Sequence, residues 1–222
     1  MKNLYLFDID GTLVDLSAAH LRAYKLSYLS VLHREVPDKT IIGTWGLPET
    51  RIHETIFKEL GVPASSELIQ KVIDGYTSNL EQAIRSTNIA PLSGVMEFLL
   101  RLKADEEYVA AITGNLEGPA RQILSRAGLA QFFDYLVCDD GNGDRKQIVA
   151  RAISEAQRRG YDINKIVVIG DTIHDIEAGK SVAAITVGVG TGAADLSRLQ
   201  EKNPDILLPD LTQYAKILEA LK

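Results

Sequence analysis

Residues 1–15 read MKNLYLFDIDGTLVD. An apolar run, Leu4-Tyr5-Leu6-Phe7, meets two aspartates one residue apart, Asp8 and Asp10, and then Gly11 and Thr12. Residues i and i+2 of an extended chain point the same way, so both carboxylates address one space. Side by side they repel each other, and burial adds to the cost. A strand that ends like this needs a compensating charge at its carboxyl end. The strand itself is apolar without alternation, as expected of a sheet covered on both faces.

Working outward from this first strand at residues 3–8, four apolar runs follow Pro91: YVAAIT (108–113), YLVCDD (135–140), KIVVIGD (165–171) and AITVGVG (184–190). Helical stretches accompany them: MEFLLRLK, PARQILSRAGL, KQIVARAISEAQRRG and IEAGKSVA. Strands alternating with helices predict right-handed crossovers and an α/β fold, a doubly wound, Rossmann-like parallel sheet. Residues 16–88 read differently, with no strand-like run. Leu21, Tyr24, Tyr28 and Val31 follow helical spacing. After a break at Gly43 and Gly46-Leu47-Pro48, PETRIHETIFKELG predicts a second helix, with Pro48 in its first turn and Gly61 closing it. SSELIQKVIDGYTSNLEQAIR predicts one or two more from a serine cap with Glu67 close behind. The expected organisation is a catalytic core of residues 1–15 and 89–222 with an all-helical insert at 16–88.

Composition narrows the classes. The chain has 222 residues, 45% apolar and 24% charged, enough for a sizeable core. A net charge of −6 argues against a nucleic-acid partner. No apolar stretch approaches the ~20 residues of a membrane span. The lone cysteine, Cys138, rules out a disulfide framework, and the start of the chain lacks a secretory pattern, so a cytoplasmic location is expected. The four histidines show no zinc-type spacing.

Ligands of such sheets bind beyond the carboxyl ends of the strands. Here those ends carry Asp8-Ile9-Asp10-Gly11-Thr12, Thr113-Gly114-Asn115, Asp139-Asp140 and Gly170-Asp171, with Asp175 four residues on. Packed carboxylates are tolerable around a hard divalent cation, and Mg²⁺ suits two carboxylates, a backbone carbonyl and water. One aspartate can attack while the other manages a proton. The rest suits phosphate. Gly11 and Gly114 allow close backbone approach. Thr113 and Asn115 offer a hydroxyl and an amide, and Thr12 can do likewise or brace a carboxylate. Arg145 and Lys146 can bring positive charge. As isolated features, Asp8-x-Asp10-Gly11 reads equally as a turn, and Asp171 and Asp175 as a helix cap and first-turn acid.

Taken together, Asp8-x-Asp10-Gly11-Thr12, Thr113, Arg145/Lys146 and Gly170-Asp171-Thr172-x-x-Asp175 resemble the four motifs of the haloacid dehalogenase superfamily of phosphohydrolases, in that family's order. The insert resembles its C1-type cap. The spacing from Pro91-Leu92-Ser93-Gly94-Val95 onward, and the stretches VGVGTG and NPDILLPDL, are similar to the phosphoglycolate phosphatase-like branch. The resemblance implies that Asp8 is the nucleophile that forms an aspartyl-phosphate and that Asp10 is the general acid and base. It implies Mg²⁺ held by Asp8, the Asp10 carbonyl and Asp171, with Asp175 a further ligand or acting through water. Thr113 and one basic residue would bind phosphoryl oxygens. That residue is expected to be Lys146 rather than Arg145, as the more mobile point charge.

His20 is in a place similar to that of a histidine assisting proton transfer in a relative, β-phosphoglucomutase, although a lone histidine on a helix is more often just partly buried. Trp45 and Arg51 flank the Gly46-Leu47-Pro48 turn and are candidates to face substrate, although tryptophan is usually core and arginine usually solvated. The expected partner is a small phosphorylated metabolite, and the protein a monomer or homodimer. As alternatives, the core does not exclude a phosphomutase, and a phosphonatase would need a cap lysine, for which Lys25, Lys39 and Lys58 show no special setting; a non-catalytic phosphate-binding protein fits less readily.

Overall fold

The computed structural model describes residues 1–141 and 144–221. Six parallel strands form one sheet: β1 (Lys2–Phe7), β2 (Tyr108–Ile112), β3 (Tyr135–Val137), β4 (Ile163–Gly170), β5 (Ile185–Val189) and β6 (Ile206–Leu208), in spatial order β3-β2-β1-β4-β5-β6. This is the doubly wound order, and β1 lies at the switch point where a crevice opens.

Period-2 geometry divides the strands between two cores. Tyr5 and Phe7 face one way, with Val109, Ala111, Val167 and Ile169. They meet α5 (Val95–Ala104) and α6 (Glu117–Arg126), and Phe98 of α5 packs edge-on against both Tyr5 and Phe7. Leu4 and Leu6 face the other way, with Ala110, Ile112 and Val168, under α7 (Arg145–Arg158) and α8 (Ile173–Ser181). Both faces of β1 are fully buried, which explains its unbroken apolar run.

Between β1 and α5 lie four helices: α1 (Ser17–Leu32), α2 (Asp38–Ile42), α3 (Glu49–Leu60) and α4 (Ser66–Ser86). SSELIQKVIDGYTSNLEQAIR forms one helix, capped by the Ser65 hydroxyl accepting the Leu68 N–H. Pro48 is not in the first turn of α3. It is the extended N-cap residue, and Gly61 closes the helix at φ 64°. The inner face of α1 differs from the sequence expectation: His20, Ala23, Tyr24, Ser27 and Tyr28 are buried, whereas Leu21 and Val31 are only half-buried. The polar members are inside because α4 supplies partners. Ser27 Oγ donates to the Val72 carbonyl (2.6 Å) beside Gly75, where a Cβ would stand 2.8 Å from that hydroxyl.

The strand expected at 135–140 ends at Val137, so Cys138, Asp139 and Asp140 belong to the loop beyond it. The sequence reading also lacked α2, β6, α9 (Leu196–Glu201) and α10 (Ala215–Ala220). All four have only three to six residues, too short to show a period. No helix among the described residues is long and apolar enough to cross a membrane.

Candidate active site

The carboxyl end of β1 delivers Asp8, whose backbone N–H still pairs with the Ile169 carbonyl of β4 (2.9 Å). The chain then turns tightly. Gly11 takes φ 81°, where a side chain is strained, and a Cβ there would lie 2.5 Å from Asp171 Oδ2 and 2.8 Å from the Gly192 backbone. The end of β4 delivers Asp171, and the Thr172–Asp175 capping box that starts α8 fixes Asp175. Thr172 donates to the Asp175 carboxylate from its N–H (3.1 Å) and its hydroxyl (2.6 Å).

These turns bring one carboxylate oxygen each of Asp8, Asp171 and Asp175 within 4.8 Å of one another, all in buried side chains. Arg145 is buried among them. It donates to Asp8, and its Nε donates to Asp175 Oδ1 (2.7 Å). Asp171 accepts from the Ala193 N–H (2.7 Å) and the Thr12 hydroxyl (3.3 Å). Burial pushes Asp8 well above the usual carboxylate range, and Asp175, Asp171 and Asp10 add to the rise against the opposing pull of Arg145. Asp171 is pushed up to about 7, by burial first and by Asp175 second. Three buried carboxylates facing one guanidinium leave an excess of negative charge. An all-oxygen donor set with that excess fits a hard divalent cation.

The Asp10 carboxylate is turned to different partners. Asn115 Nδ2 donates to its Oδ2 (2.6 Å), and its Oδ1 lies 3.0 Å from His20 Nε2. His20 Nδ1 lies 2.7 Å from the Tyr76 hydroxyl of α4. Burial alone would lower His20, but the adjacent Asp10 carboxylate reverses this and raises it above the ordinary imidazole value. Behind Tyr76, the ring of Tyr24 stacks at 4.0 Å, and its hydroxyl donates to Glu49, which is 1% exposed. His53 Nε2 lies 2.8 Å from the same carboxylate. A chain of buried polar groups thus runs from Asp10 into the helical insert.

The turn at 45–48 lies over the sheet edge. The Glu49 N–H donates to the Gly114 carbonyl (3.2 Å), and a Cβ on Gly46 would stand 2.9 Å from the Thr172 side chain. Under it is a cavity of about 180 Å³ lined on the sheet side by Asp8, Asp10, Thr113, Arg145 and Asp171, and on the insert side by His20, Tyr24, Trp45, Leu47 and Ile52.

Most of the expected residues therefore converge here, with Gly11, Gly114, Asn115 and Asp175 also lining the cavity. Some placements differ from the expectation. Lys146 is exposed, and Arg145 occupies the site in its place. The reason is helical phase: Arg145, Ile148, Val149, Ala152 and Ala156 form the buried stripe of α7, and Lys146 falls outside it. Arg51 is on the outer face of α3, pairing with Glu54 at 2.8 Å, and does not line the cavity. Thr12 braces Asp171, and the Asn115 amide is committed to Asp10. The sequence reading missed Thr191, Gly192 and Ala193 beyond β5, where Thr191 Oγ1 donates to the Gly11 carbonyl (2.6 Å). It also missed the Tyr24–Tyr76–Glu49–His53 group.

A sequence model of the family described as haloacid dehalogenase-like hydrolase matches residues 5–189. A phosphoglycolate phosphatase of Agrobacterium fabrum is 26% identical over 100% of this chain and 93% of its own length. The pyrophosphatase PpaX of Halalkalibacterium halodurans is 25% identical over 94% of each chain. The crystal structure of a hydrolase from Pseudomonas syringae superposes with a TM-score of 0.83 at 21% identity, covering 99% of both chains.

Proposed function

The chain belongs to the haloacid dehalogenase-like hydrolases, and from that premise we propose that it is a Mg²⁺-dependent phosphatase of a small phosphomonoester, working through an aspartyl-phosphate on Asp8. The observation that carries this reading is the division of labour between the two neighbouring aspartates. Asp8 faces the buried acidic cluster and Arg145, while Asp10 faces His20, Asn115 and the insert.

In the first half-reaction Asp8 attacks phosphorus in line with the leaving oxygen. The P–O bond breaks, and Asp10 gives its proton to the departing alkoxide. In the second half-reaction Asp10 takes a proton from water, which attacks the phosphoryl group and frees Asp8. Asn115 and His20 hold the Asp10 carboxylate in place for both transfers. Arg145 and the Thr113 hydroxyl receive phosphoryl oxygens, where negative charge grows in the transition state. Asp8, Asp171, Asp175 and the Asp10 carbonyl would hold Mg²⁺. When bound, it offsets the repulsion between the nucleophile and the incoming dianion.

In this reading residues 16–88 are the cap and residues 1–15 with 89–222 the core. The turn at 45–48 closes the cap over Gly114 and Thr172, shielding the aspartyl-phosphate from bulk water until the alcohol has left. The test is phosphate release from p-nitrophenyl phosphate and small metabolite phosphates, with Mg²⁺ and with chelator. Metal-dependent release is expected. Phosphoryl transfer between two positions of a sugar without net release would make the protein a phosphomutase, and silence from folded protein would sink the proposal.

A further inference from the structure

The insert side of the cavity has a specific chemistry, and the geometry points to a phosphomonoester whose leaving alcohol is uncharged. This rests on the phosphatase reading above and narrows its substrate. Tyr24, Trp45, Leu47 and Ile52 give this side an apolar surface. Two of its polar side chains are already engaged: the Tyr24 hydroxyl donates to Glu49, and the two His20 nitrogens face Tyr76 and Asp10. Acidic side chains surround it. Asp15 lines it, Asp10 borders it, and Glu49 stands directly behind Tyr24. Among the described residues Arg145 is the single lysine or arginine that lines the cavity, and its guanidinium is bound to Asp8 and Asp175 on the phosphate side. The nearby cations turn outward: Arg51 pairs with Glu54, and Lys25 with Asp38.

A leaving group that carried a carboxylate or a second phosphate would have to shed its water against these aromatic and aliphatic walls. It would find no lysine or arginine on that side as a countercharge, and it would face the Asp15 carboxylate. An uncharged carbon skeleton loses nothing comparable, and its apolar face gains contact with Trp45 and Tyr24. The pocket that selects the alcohol thus opposes the substrates for which two of the relatives are named, phosphoglycolate and pyrophosphate.

A matched pair tests this: 2-phosphoglycolate against 2-hydroxyethyl phosphate, in which a neutral CH₂OH replaces the carboxylate. Pyrophosphate and p-nitrophenyl phosphate complete the set, all assayed on the native protein with Mg²⁺. The neutral ester should have the higher kcat/KM by about tenfold or more, the scale on which one mismatched group is discriminated. Ser17→Arg, which adds a cation to the cavity wall, should narrow or invert that ratio. Equal or faster turnover of phosphoglycolate or pyrophosphate would overturn the inference and leave the phosphatase reading standing. No turnover of any ester, p-nitrophenyl phosphate included, would overturn both.

Discussion

Replacing Arg145 with methionine isolates the electrostatics of the site. Arg145 is 6% exposed, and its side chain is the positive partner of Asp8 and Asp175, themselves 7% and 1% exposed. Methionine fills similar space and removes the charge. Breaking a buried ion pair by deleting one partner costs about 3–5 kcal/mol, because the remaining charge is left unpaired. For a chain of this size each kcal/mol moves Tm by about 2–4 °C, so the metal-free variant should melt about 6–20 °C lower near pH 8. Protonation limits the loss, since a carboxylate without its guanidinium can take up a proton instead. The deficit should therefore shrink toward pH 5.5. The assay is thermal unfolding by circular dichroism in chelator, repeated with Mg²⁺, which should restore more stability to the variant than to the native protein. Lys146→Met is the control and should stay within about 0.5 kcal/mol, as exposed substitutions do. A metal-free Arg145→Met protein that melts within 2 °C of native would refute the view that this cluster is an uncompensated acidic site.

Three further outcomes follow from the same geometry. The native protein in chelator should lose stability as pH rises. The folded-state pKa of Asp171 is raised, from 3.8 to about 7, so its contribution is fully present below about pH 4 and is gone once pH passes about 7. Three pKa units correspond to at most about 4 kcal/mol; urea midpoints at pH 5 and pH 8 measure it, Mg²⁺ should flatten the slope, and a flat profile in chelator would contradict it. Gly11→Ala places a methyl group against the Asp171 carboxylate in a left-handed turn. It should cost about 1–2 kcal/mol in stability and weaken Mg²⁺ binding, read by calorimetry; unchanged metal affinity would show that the turn does not shape the site. Tyr76→Phe frees His20 from its hydroxyl partner, 2.7 Å away. With Asp10 less well held, kcat should fall between about tenfold and a hundredfold with KM little changed, and the dependence of kcat on pH should shift; a change in KM alone would assign Tyr76 to substrate binding instead.

How far this was legible in the sequence depends on the kind of signal. The sheet could be read because its strands are buried on both faces and end in chemically conspicuous residues. Asp8, Asp10, Thr113 and Asp171 lie at the strand ends where a doubly wound sheet puts a site, and the structure brings all four to one cavity. The choice between Arg145 and Lys146 was legible too, but in helical phase rather than in side-chain chemistry. Arg145 continues the stripe of Ile148, Val149 and Ala152, so it is the one that points inward. The same argument turns Arg51 outward, because the buried stripe of α3 is Glu49, Ile52, His53, Ile56 and Phe57. What could not be read is long-range polar pairing. His20 and Ser27 look like surface residues of α1 until α4 brings Tyr76 and the Val72 carbonyl to them. Glu49 looks like an exposed first-turn acid until Tyr24 and His53 enclose it. Thr191 and Gly192 end the VGVGTG stretch, but nothing in their chemistry marks them or Ala193 as part of the site. Their role comes from the approach of the loop after β5 to Gly11 and Asp171.

The central claim is that Asp8 itself carries the phosphoryl group, and its most direct measurement is phosphate release by the native protein and by Asp8→Asn, both with saturating Mg²⁺ and both shown to be folded. The native protein should turn over a neutral phosphomonoester, chelator should stop it, and the asparagine variant should show no release above background, because an amide cannot serve as the nucleophile. Release by Asp8→Asn at a native rate would contradict the claim and move the chemistry away from the end of β1.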